Sequence, residues 1–414
     1  MKKGWEVKTL GEVCKPQYGY TAKASDIGNI RYIRITDIDE NGLLKSEGCK
    51  FSDVETDIEE YILKKDDLLL VRTGATYGKT LIYSGQGHAI FASYLMRLSF
   101  SDDIIFPKFY WMFSKSNDYW SQVQQLVSGS AQPQFNGNAV VKVKIPIPPL
   151  EEQKAIVQIL DHVFERIECA KSLLEANKKA AKELFESALN DTFTKGGEDW
   201  DSSELNEYVH FIDYRGKTPP KTPKGVRLIT AKNVKMGYIN RAPEEFIDAE
   251  AYKTWMTRGY PKKGDVLFTT EAPLGNVAQL DTNEVVVIGQ RLITMQPDQE
   301  IISADFLNYL LISKPMQDVI HSHATGATVQ GIKSKTLKKI TIKYPSSLQQ
   351  QKAIVQKCDI LKEKTEKLAT YYDTKLNDLA ELKQSILQKV FAGELDLEKV
   401  DQILNQSQVL QEAA

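Results

Sequence analysis

Apolar residues recur with heptad spacing in two long stretches of the chain. After Pro149 the steps alternate between four and three, and no Pro or Gly interrupts the stretch, so the pattern predicts a helix with one narrow apolar seam. The seam positions are Ile156, Leu160, Val163, Ile167, Ala170 and Leu174, then, after a break at Asn177, Ala181, Leu184 and Ala188. A second stretch keeps the same register at Ile354, Cys358, Leu361, Thr365, Leu368, Tyr372, Lys375, Leu379, Leu382 and Ile386.

Each predicted helix has about 40 residues and a length of roughly 60 Å. A helix with one narrow apolar stripe is not stable alone, so it needs a partner. The shared register predicts that the two helices form an antiparallel coiled-coil pair within one chain. Two alternatives stay open at this point: each helix packs on its own globular part, or the chain dimerises.

The sequence contains an internal duplication. Gln153–Gln158 reads Gln-Lys-Ala-Ile-Val-Gln, and the same six residues return as Gln351–Gln356, 198 positions later (351 − 153). Weaker matches at nearly the same offset continue upstream and downstream, with small drifts that belong in loops. A duplicated chain predicts a pseudo-twofold internal repeat, which suits a two-sided target such as duplex DNA.

The part before each helix alternates short strand-like runs with turns and helical segments. We predict strands at 31–35, 67–71 and 141–145 of the first half and at 226–230, 265–269 and 340–344 of the second, with helices at 107–127 and 305–320. The predicted fold class is α+β: two globular α+β domains joined by two long helices. The predicted boundaries are 1–149, 150–195 for the first helix, 196–347, 348–392 for the second helix, and a tail at 393–414.

Composition limits the class of protein. Apolar residues make up 42% and charged residues 26% of the 414 residues, as in ordinary globular domains. The net charge is only −2, so binding to a polyanion would depend on local basic patches or on a partner. The four cysteines show no C-x-x-C spacing, and the start has no signal-peptide pattern. No apolar run reaches a membrane span, and we expect a cytoplasmic protein without membrane contact.

Catalytic motifs are absent from the sequence. There is no phosphate-binding loop of the G-x-x-x-x-G-K-[ST] type and no Gly-x-Gly nucleotide loop after a strand. His321 and His323 could form a metal pair, but no Cys or further His stands nearby, and a site needs three or four ligands. We therefore expect no catalytic, cofactor-binding or metal-binding residues in this chain.

Polar, Gly-containing loops in both halves carry the side chains that contact DNA in other proteins. Arg, Lys, Asn and Gln read base edges, while Ser, Thr and backbone amides hold phosphates. The alternative for any one of them is an ordinary solvated loop. The candidate DNA-binding residues are Tyr20, Lys23, Arg72, Thr73, Tyr77, Lys79, Gln132 and Gln134 in the first half, and Arg215, Lys217, Thr218, Lys221, Thr270, Thr328 and Gln330 in the second.

The chain resembles the specificity subunit of a type I restriction-modification system over nearly its whole length. The resemblance rests on Trp5 with Leu10-Gly11-Glu12, on the run from Ile145 to Gln153 (Ile-Pro-Ile-Pro-Pro-Leu-Glu-Glu-Gln), and on the repeated Gln-Lys-Ala-Ile-Val with its two helices. The second copy lacks the Pro-Pro and the acidic pair of that run, which puts that one motif in doubt.

The resemblance implies a non-catalytic subunit that binds double-stranded DNA. The two globular domains would be target recognition domains, each reading one half of a bipartite sequence, and the helices would dock two methyltransferase (modification) subunits. Those partners would bind S-adenosylmethionine and methylate adenine. A restriction subunit with ATP-dependent translocase and endonuclease activity would join the complex, so this chain itself would need no cofactor.

Two other classes stay open from sequence. One is a fused or stand-alone DNA methyltransferase specificity chain, against which the missing catalytic motifs argue. The other is a coiled-coil scaffold protein, against which the divergence of the two globular domains argues, because a scaffold needs no such divergence.

Overall fold

The computed structural model describes residues 2–54, 58–85, 87–101, 103–129, 133–197, 199–214 and 219–395. The chain forms two compact units. Unit 1 comprises Met1–Leu174 and Thr374–Ala414, and unit 2 comprises Glu175–Asp373. Each unit therefore contains one globular part and a portion of both long helices, a division that differs from the sequence-based boundaries. The predicted tail lies outside the described residues from 396 onward.

Unit 1 contains nine strands and four short helices among its described residues, plus parts of both long helices. The strands are β1 (Glu6–Thr9), β2 (Cys14–Tyr18), β3 (Ile30–Ile33), β4 (Phe51–Ser52), β5 (Leu68–Val71), β6 (Thr80–Ile82), β7 (Ala89–Phe91), β8 (Leu95–Phe100) and β9 (Lys144–Ile147). The helices are α1 (Leu10–Val13), α2 (Pro107–Phe113), α3 (Asn117–Leu126), α4 (Gly137–Val140) and the long α5 (Leu150–Lys195), with 3₁₀ turns at Ile35–Asp37 and Glu59–Tyr61.

Unit 2 repeats this series with one extra hairpin and one extra helix in the described residues. Its strands are β10 (Trp200–Glu204), β11 (Val209–Asp213), β12 (Val226–Ile229), β13 (Val234–Lys235), β14 (Tyr238–Ile239), β15 (Glu245–Ile247), β16 (Val266–Thr270), β17 (Leu274–Gln279), β18 (Val286–Ile288), β19 (Leu292–Pro297) and β20 (Thr341–Pro345). Its helices are α6 (Leu205–Tyr208), α7 (Tyr252–Trp255), α8 (Ala304–Ile312), α9 (Lys314–Ser322), α10 (Ser334–Lys338) and the long α11 (Leu348–Phe391).

The two units share one sheet topology. Unit 1 has an antiparallel sheet in the order β2-β8-β5-β6, a mixed sheet β4-β3-β7 in which β3 and β7 are parallel, and a ribbon β1-β9. Unit 2 has the matching sheets β11-β19-β16-β17, β15-β12-β18 and β10-β20. The predicted α+β class and the internal repeat are therefore confirmed.

The helical segment predicted at 107–127 is two helices. α2 ends at Phe113, and Ser116 caps α3, because its side chain accepts a hydrogen bond from the backbone N–H of Tyr119 at 3.2 Å. A capping serine satisfies a helix-end N–H and so starts a new helix. The segment predicted at 305–320 also divides into two helices, α8 and α9, at Ser313, whose side chain makes no capping hydrogen bond. The exit strands begin at Lys144 and Thr341, later than predicted.

The long helices run antiparallel within each unit. In unit 1, Lys383 of α11 forms an ion pair with Glu168 of α5 at 3.2 Å, and the α11 residues Leu387, Val390 and Phe391 join the core that contains Leu160. In unit 2, Lys178 of α5 forms an ion pair with Asp373 of α11 at 2.6 Å. The predicted intramolecular antiparallel pair is present in each unit.

The predicted heptad seam is buried only in part. Ile156, Leu160 and Ile167 are buried, whereas Leu184 is 55% and Leu382 is 48% exposed. The assignment of Leu184 and Leu382 to the seam is therefore wrong. In unit 1 the buried residues of α5 and α11 share one core with residues of α2 and β9, so burial there depends on the globular part as well as on the facing helix.

A buried glutamine fastens each long helix to its globular part. The side-chain carbonyl of Gln153 accepts a hydrogen bond from the backbone N–H of Phe106 at 2.9 Å, and its amide donates to the backbone carbonyls of Ile104 and Pro148 at 2.8 and 2.9 Å. Gln351 is the exact counterpart in position, bonded to Ser303, Ile301 and Pro345 at 2.9, 2.8 and 2.9 Å. Both side chains are 0% exposed. These contacts explain why this glutamine survives in both copies of the repeat.

Within the described residues, each helix is too short or too polar to span a lipid bilayer.

We predict that Gln153→Leu lowers the free energy of unfolding of unit 1 by roughly 3 kcal/mol or more, because three buried backbone groups lose their partner. Hydrogen exchange measured against urea concentration reports each unit separately and checks the loss. The control is Gln158→Leu, an exposed glutamine on the same helix, which should change the value little. Equal effects of the two substitutions would contradict the fastening role.

Candidate nucleic-acid interface

In unit 1 the fold brings together two loops that lie far apart in sequence. Thr73, just after β5, forms an antiparallel bridge with Gln134, and Gln134 also pairs with Ser128 across the loop that follows α3. The backbone carbonyl of Arg72 accepts a hydrogen bond from the N–H of Phe135 at 2.7 Å. Arg72 and Gln134, both predicted from sequence, therefore lie on one joined pair of loops.

Arg72 is held in a defined position and keeps donors to offer. Its Nε donates to the backbone carbonyl of Ser93 at 2.9 Å, and its guanidinium carbon lies 5.0 Å from the centroid of the Tyr18 ring. No ion pair of the described residues involves Arg72. A guanidinium stacked on an aromatic ring loses little side-chain entropy when it forms further hydrogen bonds.

Two exposed tyrosines beside Arg72 were missed by the sequence analysis. Tyr18 is 46% exposed, and its hydroxyl accepts a hydrogen bond from the N–H of Gly137 at 3.0 Å. Tyr94 is 56% exposed, and its backbone carbonyl accepts from the N–H of Arg72 at 3.1 Å. We name Tyr18, Arg72 and Tyr94 the Arg72 patch. The sequence does not indicate that these three residues lie together, because each lies at or next to the end of a different strand.

The other predicted residues of unit 1 serve mainly in the fold. Thr73 is buried, with its hydroxyl 3.4 Å from the Pro133 carbonyl. Tyr20 is half-buried, edge to face with the Tyr61 ring at 5.2 Å, and Tyr77 packs against the core. Lys23 is exposed and remains a candidate.

Unit 2 joins the corresponding pair of loops. Glu271, just after β16, bridges to Gly331, and Gly331 also pairs with Thr325. The N–H of Ile332 donates to the carbonyl of Thr270 at 2.9 Å, the counterpart of the Phe135–Arg72 bond. The loop between Thr325 and Gly331 presents exposed side chains, including the predicted Thr328 and Gln330.

Two predicted residues of unit 2 have side chains that already contact other parts of the protein. Thr270 is 2% exposed, and its hydroxyl lies 3.3 Å from the Arg291 carbonyl, so its side chain is not available to DNA in this conformation. Lys221 forms an ion pair with Glu245 at 2.8 Å. The predicted Gln132, Arg215, Lys217 and Thr218 lie outside the described residues.

Arg291 is a further candidate in unit 2 that the sequence analysis missed. Its Nε lies 3.1 Å from Glu271 Oε1, and its side chain is 51% exposed. Its backbone has φ +66°, a left-handed conformation that is costly for a residue with a Cβ. Its carbonyl accepts from the N–H of Thr270 at 2.8 Å, as that of Tyr94 does from Arg72. Extending the repeat to this turn would have paired Arg291 with Tyr94.

Lys79, also predicted, lines a basic pocket of unit 1 rather than the loop pair. This pocket of about 310 Å³ contains Lys79, Lys115 and Lys383. Burial lowers the pKa of the Lys115 amine to about 7, and the neighbouring charge of Lys383 adds to the effect. The Lys115 Nζ lies 3.3 Å from the centroid of the Trp111 ring, which offsets part of the cost of burying its charge.

The comparison with known proteins identifies the family. The type I restriction modification DNA specificity domain matches residues 2–177 and again residues 197–384. The chain belongs to this family and carries two copies of its domain, as the sequence resemblance implied.

Curated relatives are specificity subunits. The chain is 26% identical over 392 residues to a putative type I restriction enzyme MjaX specificity subunit of Methanocaldococcus jannaschii, covering 85% of each chain. It is 26% identical over 320 residues to the MjaVIII specificity subunit of the same organism, covering 72% of this chain and 73% of the relative. It is also 24% identical over 307 residues to the EcoBI specificity subunit of Escherichia coli, covering 67% of this chain and 64% of the relative.

Solved structures share the fold. A chain from a structure concerned with complex assembly and conformational transition of the type I R-M system superposes with a TM-score of 0.75 at 22% identity, covering 95% of this chain and 99% of that one. The HsdS subunit of Thermoanaerobacter tengcongensis superposes with a TM-score of 0.56 at 22% identity, covering 95% and 98%.

We predict that Lys115→Met makes unit 1 more stable than the wild type by about 2 kcal/mol at pH 6, because a buried ammonium is removed. The folded pKa lies near 7, below the ordinary value of 10.5. The unfolded chain therefore binds more protons between these values, and wild-type stability rises with pH across that window. The advantage of the variant should shrink from pH 7 to 10.5.

Urea unfolding of both proteins across this pH range measures the effect. The matched control is Lys182→Met, an exposed lysine on α5, which should show no such pH-dependent difference. A Lys115→Met variant less stable than the wild type at pH 6 would contradict the buried-ammonium account.

Proposed function

We propose that each unit reads one half of a bipartite double-stranded DNA target, and that the chain supplies the sequence specificity of a type I restriction-modification complex. The observation that carries the proposal is the repeated pair of joined loops. The backbone frame is the same in both units, but the side chains differ: Arg72 and Gln134 stand on one, and Glu271, Thr328 and Gln330 on the other. A common frame with different polar side chains fits two domains that read different sequences.

The chemistry of the loops supports contact with DNA. Arg and Gln form paired hydrogen bonds to the edges of guanine and adenine in the major groove. Tyr and Thr hydroxyls and backbone N–H groups contact phosphates and set the register. In the Arg72 patch the guanidinium is already fixed by the Ser93 carbonyl and the exposed Tyr18 ring. Arg72 would therefore lose little further side-chain entropy when it binds DNA.

The long helices are proposed to dock two methyltransferase subunits. Leu173 and Tyr371 occupy equivalent positions of the repeat and are 61% and 55% exposed. Leu184 and Leu382, also equivalent, are 55% and 48% exposed. Unit 1 thus presents Leu173 and Leu382, and unit 2 presents Tyr371 and Leu184. Exposed apolar residues at repeated positions fit two copies of one partner.

The chemistry of the complex is proposed to reside in its other subunits. The modification subunits would bind S-adenosylmethionine and methylate adenine, and the restriction subunits would use ATP for translocation and cleavage. This chain would be non-catalytic, without a cofactor or metal of its own, and would act in the cytoplasm. Because its net charge is only −2, it would bind DNA weakly before assembly with the modification subunits.

The exchange of residues 1–149 for the equivalent domain of another specificity subunit tests the proposal. We expect the methylated sequence to change in one half and to stay the same in the other, because each unit has its own core. Methylome sequencing of a host that carries the complex measures both halves at once. A control chimera exchanges residues 196–347 and should change only the opposite half.

An exchange that altered both half-sites together would contradict independent reading. A chimera that methylates the original sequence unchanged would contradict the assignment of DNA reading to these domains.

Arg72→Ala separates the two possible roles of this side chain. If Arg72 reads a base, the loss should be about 1–3 kcal/mol of binding free energy with one position of the half-site relaxed. If it binds phosphate, all sequences should weaken alike and the salt slope should fall by about one unit. Binding of the assembled complex to duplexes over a salt series measures both.

The control for Arg72→Ala is Arg241→Ala, which removes an exposed arginine of unit 2 that is paired with Asp281 at 2.8 Å. This variant should keep wild-type recognition of the half-site read by unit 1. Wild-type affinity, sequence preference and salt slope for Arg72→Ala would show that the Arg72 patch is solvated surface.

A further inference from the structure

The central sheet of each unit ends on a cross-strand pair that contains one arginine. In unit 1 the N–H of Arg72 donates to the carbonyl of Tyr94 at 3.1 Å, and in unit 2 the N–H of Thr270 donates to the carbonyl of Arg291 at 2.8 Å. Both pairs continue the register of the neighbouring strands, β5 with β8 and β16 with β19. The arginine therefore follows β5 in unit 1, whereas in unit 2 it lies on the opposite strand, just before β19.

This pair adjoins the joined loops in both units. The carbonyl of Arg72 accepts from the N–H of Phe135 at 2.7 Å, and that of Thr270 accepts from the N–H of Ile332 at 2.9 Å. The side chain of Thr270 is buried, so its cross-strand partner Arg291 supplies the exposed side chain of the pair in unit 2. Each unit thus places a guanidinium beside its joined loops, but from opposite strands.

Glu271 forms an ion pair with Arg291 and limits where its guanidinium can lie. The carboxylate Oε1 is 3.1 Å from Arg291 Nε, and the two side chains are 48% and 51% exposed. The backbone of Glu271 is itself held by its bridge to Gly331. A guanidinium has five N–H donors, and the four on Nη1 and Nη2 have no acceptor within the described part of the chain. Arg291 is therefore held at one nitrogen and keeps its outer edge available.

The backbone around this ion pair is in an unfavourable conformation. Three residues other than glycine have a positive φ in the described part of the chain, and two of them are here: Arg291 at +66° and Ala272, next to Glu271, at +46°. Glycine adopts such a φ at little cost, whereas a residue with a Cβ is strained. The fold alone therefore favours glycine at position 291, and strained residues of this kind cluster at functional sites.

We propose that Arg291 reads a guanine in the half-site of unit 2, with Nη1 and Nη2 donating to O6 and N7 in the major groove, and that Glu271 is a positioning residue. The inference rests on the proposed function. A planar pair of donors matches the two acceptors of guanine and discriminates against the other bases. Glu271 disfavours a phosphate contact, because its carboxylate beside the guanidinium repels the DNA backbone.

Arg291→Gly tests this role, because glycine keeps the left-handed backbone and removes only the side chain. Thermal unfolding of the full chain should give a Tm close to that of the wild type, since relief of strain offsets the greater freedom of the unfolded chain. Methylome sequencing of a host that carries the variant complex should show one G·C position of the unit 2 half-site relaxed. The half-site of unit 1 should stay unchanged.

Replacement of each guanine of that half-site by 7-deazaguanine removes N7 and identifies the contact. At one position this change should weaken binding of the assembled wild-type complex about tenfold. The same change should alter binding of the Arg291→Gly complex by less than about twofold, because the donor to N7 is already absent. On the unmodified duplex, Arg291→Gly itself should lose about tenfold or more with an unchanged salt slope.

Variants of Glu271 separate positioning from a structural role. Glu271→Gln keeps an acceptor for Arg291 Nε, so the preference for guanine should be largely retained. Glu271→Ala releases the guanidinium and removes the repelling charge. Binding to duplex DNA without the target sequence should then tighten, and the salt slope should steepen by about one unit, while the preference for guanine falls about tenfold. Loss of folding would instead weaken binding to every duplex.

The matched control is Arg241→Gly, which removes an arginine of unit 2 that is 54% exposed and paired with Asp281 at 2.8 Å. Its methylated sequence, its response to 7-deazaguanine and its salt slope should equal those of the wild type.

An Arg291→Gly complex that keeps the wild-type sequence preference would overturn the inference. So would a uniform loss on all duplexes with the salt slope lowered by about one unit, the result expected of a phosphate contact. A unit 2 half-site without a G·C pair would have the same consequence. These failures leave the proposed function in place if exchange of residues 196–347 still changes that half-site. If the exchange changes neither half-site, the proposed function itself fails.

Discussion

The fold of each unit depends on one buried glutamine at the start of a long helix. Gln153 and Gln351 each accept one backbone hydrogen bond and donate two, at distances of 2.8 to 2.9 Å. The three backbone groups come from the segment before α2 or α8 and from the exit of the last strand. A single amide thus ties the helix, the exit strand and the helical layer together. No apolar residue could satisfy these buried groups, which constrains the position in both copies.

This fastening lets the rest of each unit diverge. The sheets and the starts of the long helices have the same arrangement in both units. The loops after β5 and β16 therefore contact the loops after α3 and α9 in the same way. The exposed side chains on them, such as Gln134, Thr328 and Gln330, are free to differ because they carry no part of the core. The two domains therefore share one backbone arrangement and present different side chains on it. The same divergence appears on the long helices: Asp161 and Glu168 of unit 1 pair with Lys108 and Lys383, whereas no cation of the described residues pairs with the equivalent Asp359 and Glu366 of unit 2.

The predicted site residues separate into structural and exposed groups only in three dimensions. Thr73 and Thr270 stand beside exposed candidates in the sequence, yet their side chains are buried, since Thr73 is bridged to Gln134 and Thr270 is the last residue of β16. Arg72 keeps further N–H donors because, among the described residues, its guanidinium contacts only the Ser93 carbonyl and the Tyr18 ring. Tyr18, Tyr94 and Arg291 carried no sequence signal of their own. Their relevance comes from backbone bonds to residues more than 20 positions away or from a ring contact.

The sequence by itself determined the duplication, the two long helices, the α+β class and the family, because period, repeat and motif are properties of neighbouring residues along the chain. It did not determine which seam positions are buried. Leu184 and Leu382 fit the heptad but remain exposed, since burial depends on which surface lies opposite, and that surface is brought there by the globular part. The joined loops and the Arg72 patch likewise exist only after folding. Each combines residues from separate elements, and their chemistry depends on distances that no local pattern encodes.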